Sequence, residues 1–454
     1  MTLSPATLET VPIDEPSHRA LETAGPPAHR RYDVVVIGAG PAGSTVATLL
    51  ARAGRSVLVL ERENFPRFSI GESLIPGTHD VLARLGMLDA LRASAFVPKH
   101  SVQFISASGR ASAPFYFREI DPSERSQTWQ VVRADFDAML LENAQRAGAA
   151  VCQGAAVTDV LFESASLAAA RATGVRARFS DGEARKLAAS VVVDASGRRS
   201  LLARRLGLRT RDPRLKMAAI FSRFEGGARG TGIDEGATLI IHTENRNGWV
   251  WYIPLPEDQV SVGVVGPITH LIEGRSGDPQ QVFEQEIARC PGVVPLLKPA
   301  RQIAPVRVLN DFSYGASRVA GPGWVLVGDA YSFLDPIYSS GVLLALKSGE
   351  MAADAMLDAF AARDLSAARL GAFQPSFDAG MRSFRRLVYA FYDKRFSFAR
   401  FLKNFPEHRE AVVDLLVGDV FDRRFDRLFA AMEQMIPNLG PTLPVPAGHV
   451  ANRR

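Results

Sequence analysis

The chain has 454 residues, 47% of them hydrophobic, and a formal net charge of +5, which describes a globular protein of two or three domains and excludes a disordered one. So mild a charge gives no argument for nucleic acid, and no apolar run reaches the roughly 18 residues of a membrane helix, so no integral membrane segment is expected. Two distant cysteines, Cys152 and Cys290, offer neither a metal spacing nor a disulfide framework, which fits the cytoplasm.

Residues 1–30 are rich in proline, lack periodicity, and show no basic start followed by an apolar core. They read as a loose tail and not as a secretory signal. From Arg31 the chain runs RYDVVVIGAGPAGSTVATLLARAGRSVLVLERE. VVVI is apolar on both faces, as a strand inside a parallel sheet must be. Gly38, Gly40 and Gly43 then form G-x-G-x-x-G before a helical pattern, and SVLVL gives a second strand ending at Glu61. The three glycines serve different ends. Gly38 permits the tight turn, Gly40 lets a pyrophosphate approach the backbone, and Gly43 lets helix and strand pack closely. The helix N-terminus offers free N–H groups to phosphate, and Glu61 can accept a ribose hydroxyl.

The stretch AFVPKHSVQF, residues 95–104, places Lys99 among apolar neighbours. On these residues alone it is a turn lysine on the surface or a reactive amine in a buried passage. Further on, VVVDASGRRS ends a third strand at Asp194, Ala195 and Gly197. Between residues 213 and 312, KMAAIFSRFE, ATLIIHT, GWVWYIPL and QVSVGVVG read as strands of an antiparallel sheet, with Pro256–Asp258 turning the last two into a hairpin. Trp249 and Trp251 share one face of their strand. WVLV then ends at Gly328 and Asp329, where a carboxylate suits a ribityl hydroxyl, and a helix starts at Ser340–Gly341 with its dipole free for a flavin or a small anion. Residues 365–436 read as helices. Within them MRSFRRLVYAFYDKRFSFARFLK, 381–403, reads as an amphipathic lid helix with packed aromatics and a solvated basic face, or as a docking site for an acidic carrier protein.

Three strand-end loops converging on one long ligand resemble the FAD-dependent enzymes of the aromatic-hydroxylase type, over residues 31 to about 360. Within that fold the chain resembles the flavin-dependent halogenases, in the branch acting on phenols, pyrroles and carrier-tethered rings. GWVWYIP, residues 248–254, matches their G-W-x-W-x-I-P through Trp249, Trp251 and Pro254. LERENFPRFSIGESLIP resembles the segment after their second strand, and DPIYSSGV their flavin and halide loop. Their lysine follows the G-E-S glutamate in a stretch like G-F-x-x-K-x-x-x-x-F, which Phe96, Lys99 and Phe104 match.

The resemblance implies an α/β fold with a Rossmann-like FAD-binding domain, an inserted antiparallel substrate sheet and a C-terminal helical region. The FAD domain would take residues 31–105, 131–212 and 313–360, the substrate domain 106–130 and 213–312, and a lid or docking region 361–454. It implies that Ala42, Arg62, Arg67, Gly71, Glu72, Ser73, Arg133, Pro336 and Val342 join the glycines, Glu61, Asp194, Ala195, Gly197, Gly328, Asp329 and Gly341 around FAD, and that Ser340 and Gly341 hold chloride or bromide. Reduced FAD from a separate flavin reductase would, with dioxygen and halide, yield hypohalous acid for Lys99 to direct onto an electron-rich ring, free or tethered to a carrier protein. One departure is Tyr338, where the tryptophan-specific branch has a glutamate; this argues against free tryptophan. The rival readings are an oxygen-inserting FAD monooxygenase, a reductase of the geranylgeranyl type, and a flavin-binding protein without turnover.

Overall fold

The computed structural model describes residues 31–164, 170–273, 275, 277–310, 312–421 and 423–440; the expected tail over 1–30 lies outside them. In chain order the elements that build the site are β1 (Tyr32–Ile37), α1 (Pro41–Arg52), β2 (Val57–Leu60), β3 (Val97–Lys99), β4 (Ser101–Ile105), β5 (Thr128–Gln130), α2 (Arg133–Arg146), β6 (Ala150–Cys152) and β7 (Ala184–Asp194). They continue as β8 (Met217–Glu225), β9 (Thr238–His242), β10 (Trp249–Pro254), β11 (Gln259–Pro267), β12 (Trp324–Leu326), α3 (Ser340–Ala361), α4 (Gln374–Tyr392) and α5 (Phe398–Asn404).

One sheet carries the parallel order β12–β7–β1–β2–β6. Val34, Val35 and Val36 of β1 are completely buried, which is why the strand is apolar without alternation. The strand ends Ile37, Leu60, Asp194 and Leu326 all fall at one edge of the sheet, where open α/β sheets place their ligands.

A second sheet runs β8–β11–β10–β9–β4. The four strands read from sequence are antiparallel to one another, and β4 joins the end parallel to β9. The hairpin between β10 and β11 turns at Glu257 and Asp258, both left-handed at φ 57° and 54°, the pairing a tight twisted hairpin requires. Lys99 ends β3, which pairs with β5 and sets Lys99 opposite Thr128.

The C-terminal region differs from a continuous lid helix. α4 ends at Tyr392, Asp393 takes an extended conformation, and Ser397 starts α5 by accepting the Arg400 N–H. Phe384, Tyr389, Phe391, Phe396, Phe398 and Phe401 are all buried, so the aromatic recurrence marks packing on both sides of the break. The basic face is only partly solvated: Arg385 is buried and 3.7 Å from Asp212, whereas Arg382, Lys394, Arg395, Arg400 and Lys403 are exposed. Among the described residues no helix is long and apolar enough to cross a membrane.

Candidate active site

A cleft of about 370 Å³ opens where the strand ends of the first sheet meet the second. Gly38, Gly40, Ala42, Glu61, Arg62, Arg67, Gly71, Glu72, Ser73, Arg133, Ala195, Gly197, Asp329, Pro336, Gly341 and Val342 all line it, with Trp249 and Trp251. Gly38 sits at φ 99°, and a Cβ there would lie 2.5 Å from the Ala195 carbonyl oxygen. The N-terminus of α1 has no side-chain cap, so its first N–H groups are left for a ligand. Asp329 is partly buried beside this opening, and desolvation raises its carboxyl to about 6. Glu72 Oε1 accepts the Arg223 guanidinium at 2.7 Å, while Oε2 is buried without a hydrogen-bond partner among the described residues. An uncapped helix start, a partly buried carboxylate and an orphaned acceptor in one long cleft fit the pyrophosphate, ribityl chain and ring of FAD.

Six predicted site residues stand off the cleft wall, each for a local reason. Gly43 packs against β1, where a Cβ would come 2.0 Å from the Gly38 oxygen. Asp194 spends both carboxylate oxygens on backbone, accepting the N–H of Ser196 and of Leu202, and so shapes the loop that presents Ala195 and Gly197. Gly328, at φ 57°, lets the strand end approach Ala42 and leaves the cleft to Asp329. Pro254 closes β10 opposite Val260. Ser340 is buried, and Ser339, left-handed at φ 53°, takes the wall position beside Gly341. Lys99 is the sixth.

Lys99 is 1% exposed. Its Nζ donates to Ser73 Oγ and to the Leu74 carbonyl, both at 2.8 Å, and lies 5.5 Å from the centre of the Phe117 ring. No carboxylate touches it among the described residues. Burial lowers the ammonium to about 7, so the modest attraction of the ring face for a cation does not decide its charge. Ser73 is the link to the cleft: it lines the wall, donates to or accepts from Thr238 Oγ1 at 2.9 Å, and receives the lysine from behind. Gln130 donates to Thr238 Oγ1 and to the Gly236 carbonyl, and its own Oε1 is buried without a partner among the described residues. Thr238 and Gln130 escape a reading of the sequence, since one sits in an apolar strand and the other is an ordinary polar residue.

The tryptophan pair builds the opposite wall. Trp251 lies flat on Gly263 across the hairpin, where any Cβ would strike the indole at 2.2 Å, and its Nε1 donates to Ser261 Oγ. Its ring sits 5.6 Å from Phe221 and 6.1 Å from Trp249. The loop before α3 starts at Asp335, which caps the turn by accepting the Ile337 N–H; burial raises its carboxyl to about 7. α3 also begins without a side-chain cap, which leaves its first N–H groups beside Ser339 and Gly341.

Residues 31–349 match the FAD binding domain family. The chain is 34% identical to the 1H-pyrrole-2-carbonyl-[peptidyl-carrier protein] chlorinase of Pseudomonas fluorescens, covering 89% of this chain and 93% of that protein. It is 32% identical to the corresponding brominase of Pseudoalteromonas luteoviolacea, covering 87% and 93%. Among solved structures it superposes on a flavin-dependent brominase with TM-score 0.79 at 30% identity, covering 89% of this chain and 99% of that one. The myxobacterial chondrochloren halogenase gives TM-score 0.73 at 32% identity, covering 89% and 96%.

Proposed function

The chain belongs to the FAD binding domain family and, within it, to the flavin-dependent halogenases, and from that premise we propose that it halogenates a pyrrole ring held as a thioester on a carrier protein, with Lys99 directing the halogen. The single observation that carries the role of Lys99 is a fully buried amine, hydrogen-bonded through Ser73 to the wall of the FAD cleft. When bound, reduced FAD supplies the electrons with which dioxygen turns halide into hypohalous acid. The N–H groups at the start of α3, beside Ser339 and Gly341, are the donors for chloride or bromide. Ser73, hydrogen-bonded to Thr238, stands between the cleft and the amine.

At the amine the balance is simple. Hypohalous acid and the neutral amine give a haloamine and water; the ring carbon then takes the halogen, its proton leaves, and the amine is restored. Alternatively the amine holds hypohalous acid by hydrogen bond, and the ring takes halogen while water leaves. The haloamine route needs the free base, which grows from about one-tenth at pH 6 to about nine-tenths at pH 8 for a group near 7. Halogenated product per flavin oxidised should therefore rise with pH through a midpoint of about 7, as read by quantifying product and flavin oxidation across that range. Asp335 titrates in the same region, so Asp335→Asn should keep the midpoint; its disappearance in that variant would assign the profile to Asp335.

The pyrrole-carrier substrate is taken from the two relatives, and the exposed cations Lys394, Arg400 and Lys403 at the α4–α5 break supply a surface for an acidic carrier. Reversing these three charges should slow association with the carrier by on the order of tenfold at low salt, an effect that fades as the Debye length shrinks from about 10 Å at 0.1 M to about 3 Å at 1 M. Stopped-flow association rates test this; rates indifferent to both salt and charge reversal would remove the docking surface. Arg385 is left out because it is buried against Asp212. A separate flavin reductase supplies the reduced cofactor, and the free buried thiols of Cys152 and Cys290 suit a reducing cytoplasm.

A further inference from the structure

Trp249, Tyr392 and Asp335 come from three distant parts of the chain: the motif strand β10, the last residue of α4, and the loop that leads into α3. Their side chains form one chain of hydrogen bonds. The Trp249 indole N–H donates to the Tyr392 hydroxyl at 2.9 Å, and that hydroxyl donates to Asp335 Oδ2 at 2.9 Å. Asp335 Oδ1 accepts the Ile337 N–H at 3.0 Å. Asp335 is 2% exposed and has no Lys or Arg partner among the described residues, so Tyr392 and the turn's own N–H are what hold it. The carboxylate in turn shapes residues 336–338, which deliver Ser339 at φ 53° and Gly341 to the cleft wall. α4 also packs on this loop through Tyr338, whose ring meets Phe391 and whose hydroxyl reaches the Leu387 carbonyl at 3.3 Å.

We propose that Tyr392 is a positioning residue for the halide site: its hydroxyl ties the tryptophan motif and the C-terminal helix to Asp335 and so fixes the backbone donors at the start of α3. The proposal rests on the reading that halide binds at those donors. Packing by α4 would serve as well without the hydroxyl, so Tyr392→Phe separates the two, because it keeps the ring against Phe391, 5.5 Å away, and removes both hydrogen bonds.

The test uses the full chain with FAD, a chemical reductant, dioxygen, a carrier protein bearing pyrrole-2-carbonyl thioester as the ring to be brominated, and a bromide titration. Tyr392→Phe leaves the buried Asp335 Oδ2 and the Trp249 indole N–H without their partner, so it should raise the bromide KM by about tenfold. Product per flavin oxidised should fall at subsaturating bromide, while FAD affinity stays at the wild-type value. Asp335→Ala should give a similar rise and carries the test should Tyr392→Phe fold poorly; Asp335→Asn, which keeps an acceptor for the hydroxyl, should stay within about threefold of wild type. A bromide KM within about twofold of wild type in both Tyr392→Phe and Asp335→Ala overturns the proposal, as does Asp335→Asn proving as damaging as Asp335→Ala. Wild-type protein that binds FAD but brominates nothing would overturn the halogenase reading itself, a separate result.

Discussion

Lys99→Ala is expected to abolish halogenated product while reduced FAD is still oxidised at the wild-type rate. The two steps are separated in space: the cleft holds the cofactor residues, and the amine stands behind Ser73, off the cleft wall. Removing the amine leaves the cleft intact and, on the role proposed for Lys99, deprives the oxidised halogen of its carrier to the ring. Lys99→Arg should fail equally, because a guanidinium stays protonated and has no lone pair for halogen. Lys99→Met is the control for folding. It keeps an unbranched apolar stem and removes an ammonium that burial already disfavours, but leaves Ser73 and the Leu74 carbonyl without their donor, so melting temperature should fall by only a few degrees while product is lost. Flavin oxidation by absorbance and halogenated product by mass spectrometry are read on the same samples. Product from Lys99→Ala at the wild-type yield would make the lysine a structural residue.

Gly40→Val is expected to lower FAD affinity by on the order of 100-fold or more, since a blocked pyrophosphate loses several charge-assisted hydrogen bonds of about 1.5–3 kcal/mol each. The structure sharpens this test by separating two glycines of one motif. A Cβ at Gly40 meets only the end of the Arg67 side chain, at 3.5 Å, so the protein itself tolerates it. A Cβ at Gly43 would come 2.0 Å from the backbone oxygen of Gly38, so Gly43→Ala should damage the strand–helix packing and lower the melting temperature with or without cofactor. FAD titration by fluorescence beside thermal unfolding distinguishes the two lesions. Full FAD affinity in Gly40→Val would place the pyrophosphate elsewhere.

The parts of this site that sequence discloses are those set by local periodicity. The apolar runs of β1 and β2, the glycine turn between strand and helix, and the β10–β11 hairpin each follow from the residues within them. The shared face of Trp249 and Trp251 follows from alternation alone. Lys99 is different. Its neighbours in sequence look like a surface turn, and its burial is made by Ser73, Leu74, Phe117 and Thr128, none of which its own segment can announce. The motif resemblance points to the residue, and packing accounts for its burial. The same distinction separates Asp329 from Asp194: one follows a strand and the other ends one, yet the first faces the cleft and the second is consumed by two backbone N–H groups. Ser339 and Ser340 differ by one helical step, which composition cannot fix, and the aromatic spacing of 381–403 runs on across a break that Asp393 and Ser397 impose. Tyr392 is legible only once α4 and β10 are placed side by side.

The most direct measurement supplies the wild-type protein with reduced FAD, dioxygen and bromide, together with a carrier protein bearing pyrrole-2-carbonyl thioester, and records the intact mass of the carrier. Halogenation directed by Lys99 predicts replacement of ring hydrogen by bromine, seen as the paired bromine isotope pattern, and an unchanged carrier when Lys99→Ala replaces the wild type. A gain of oxygen in place of bromine, or bromination that persists in Lys99→Ala, would contradict it.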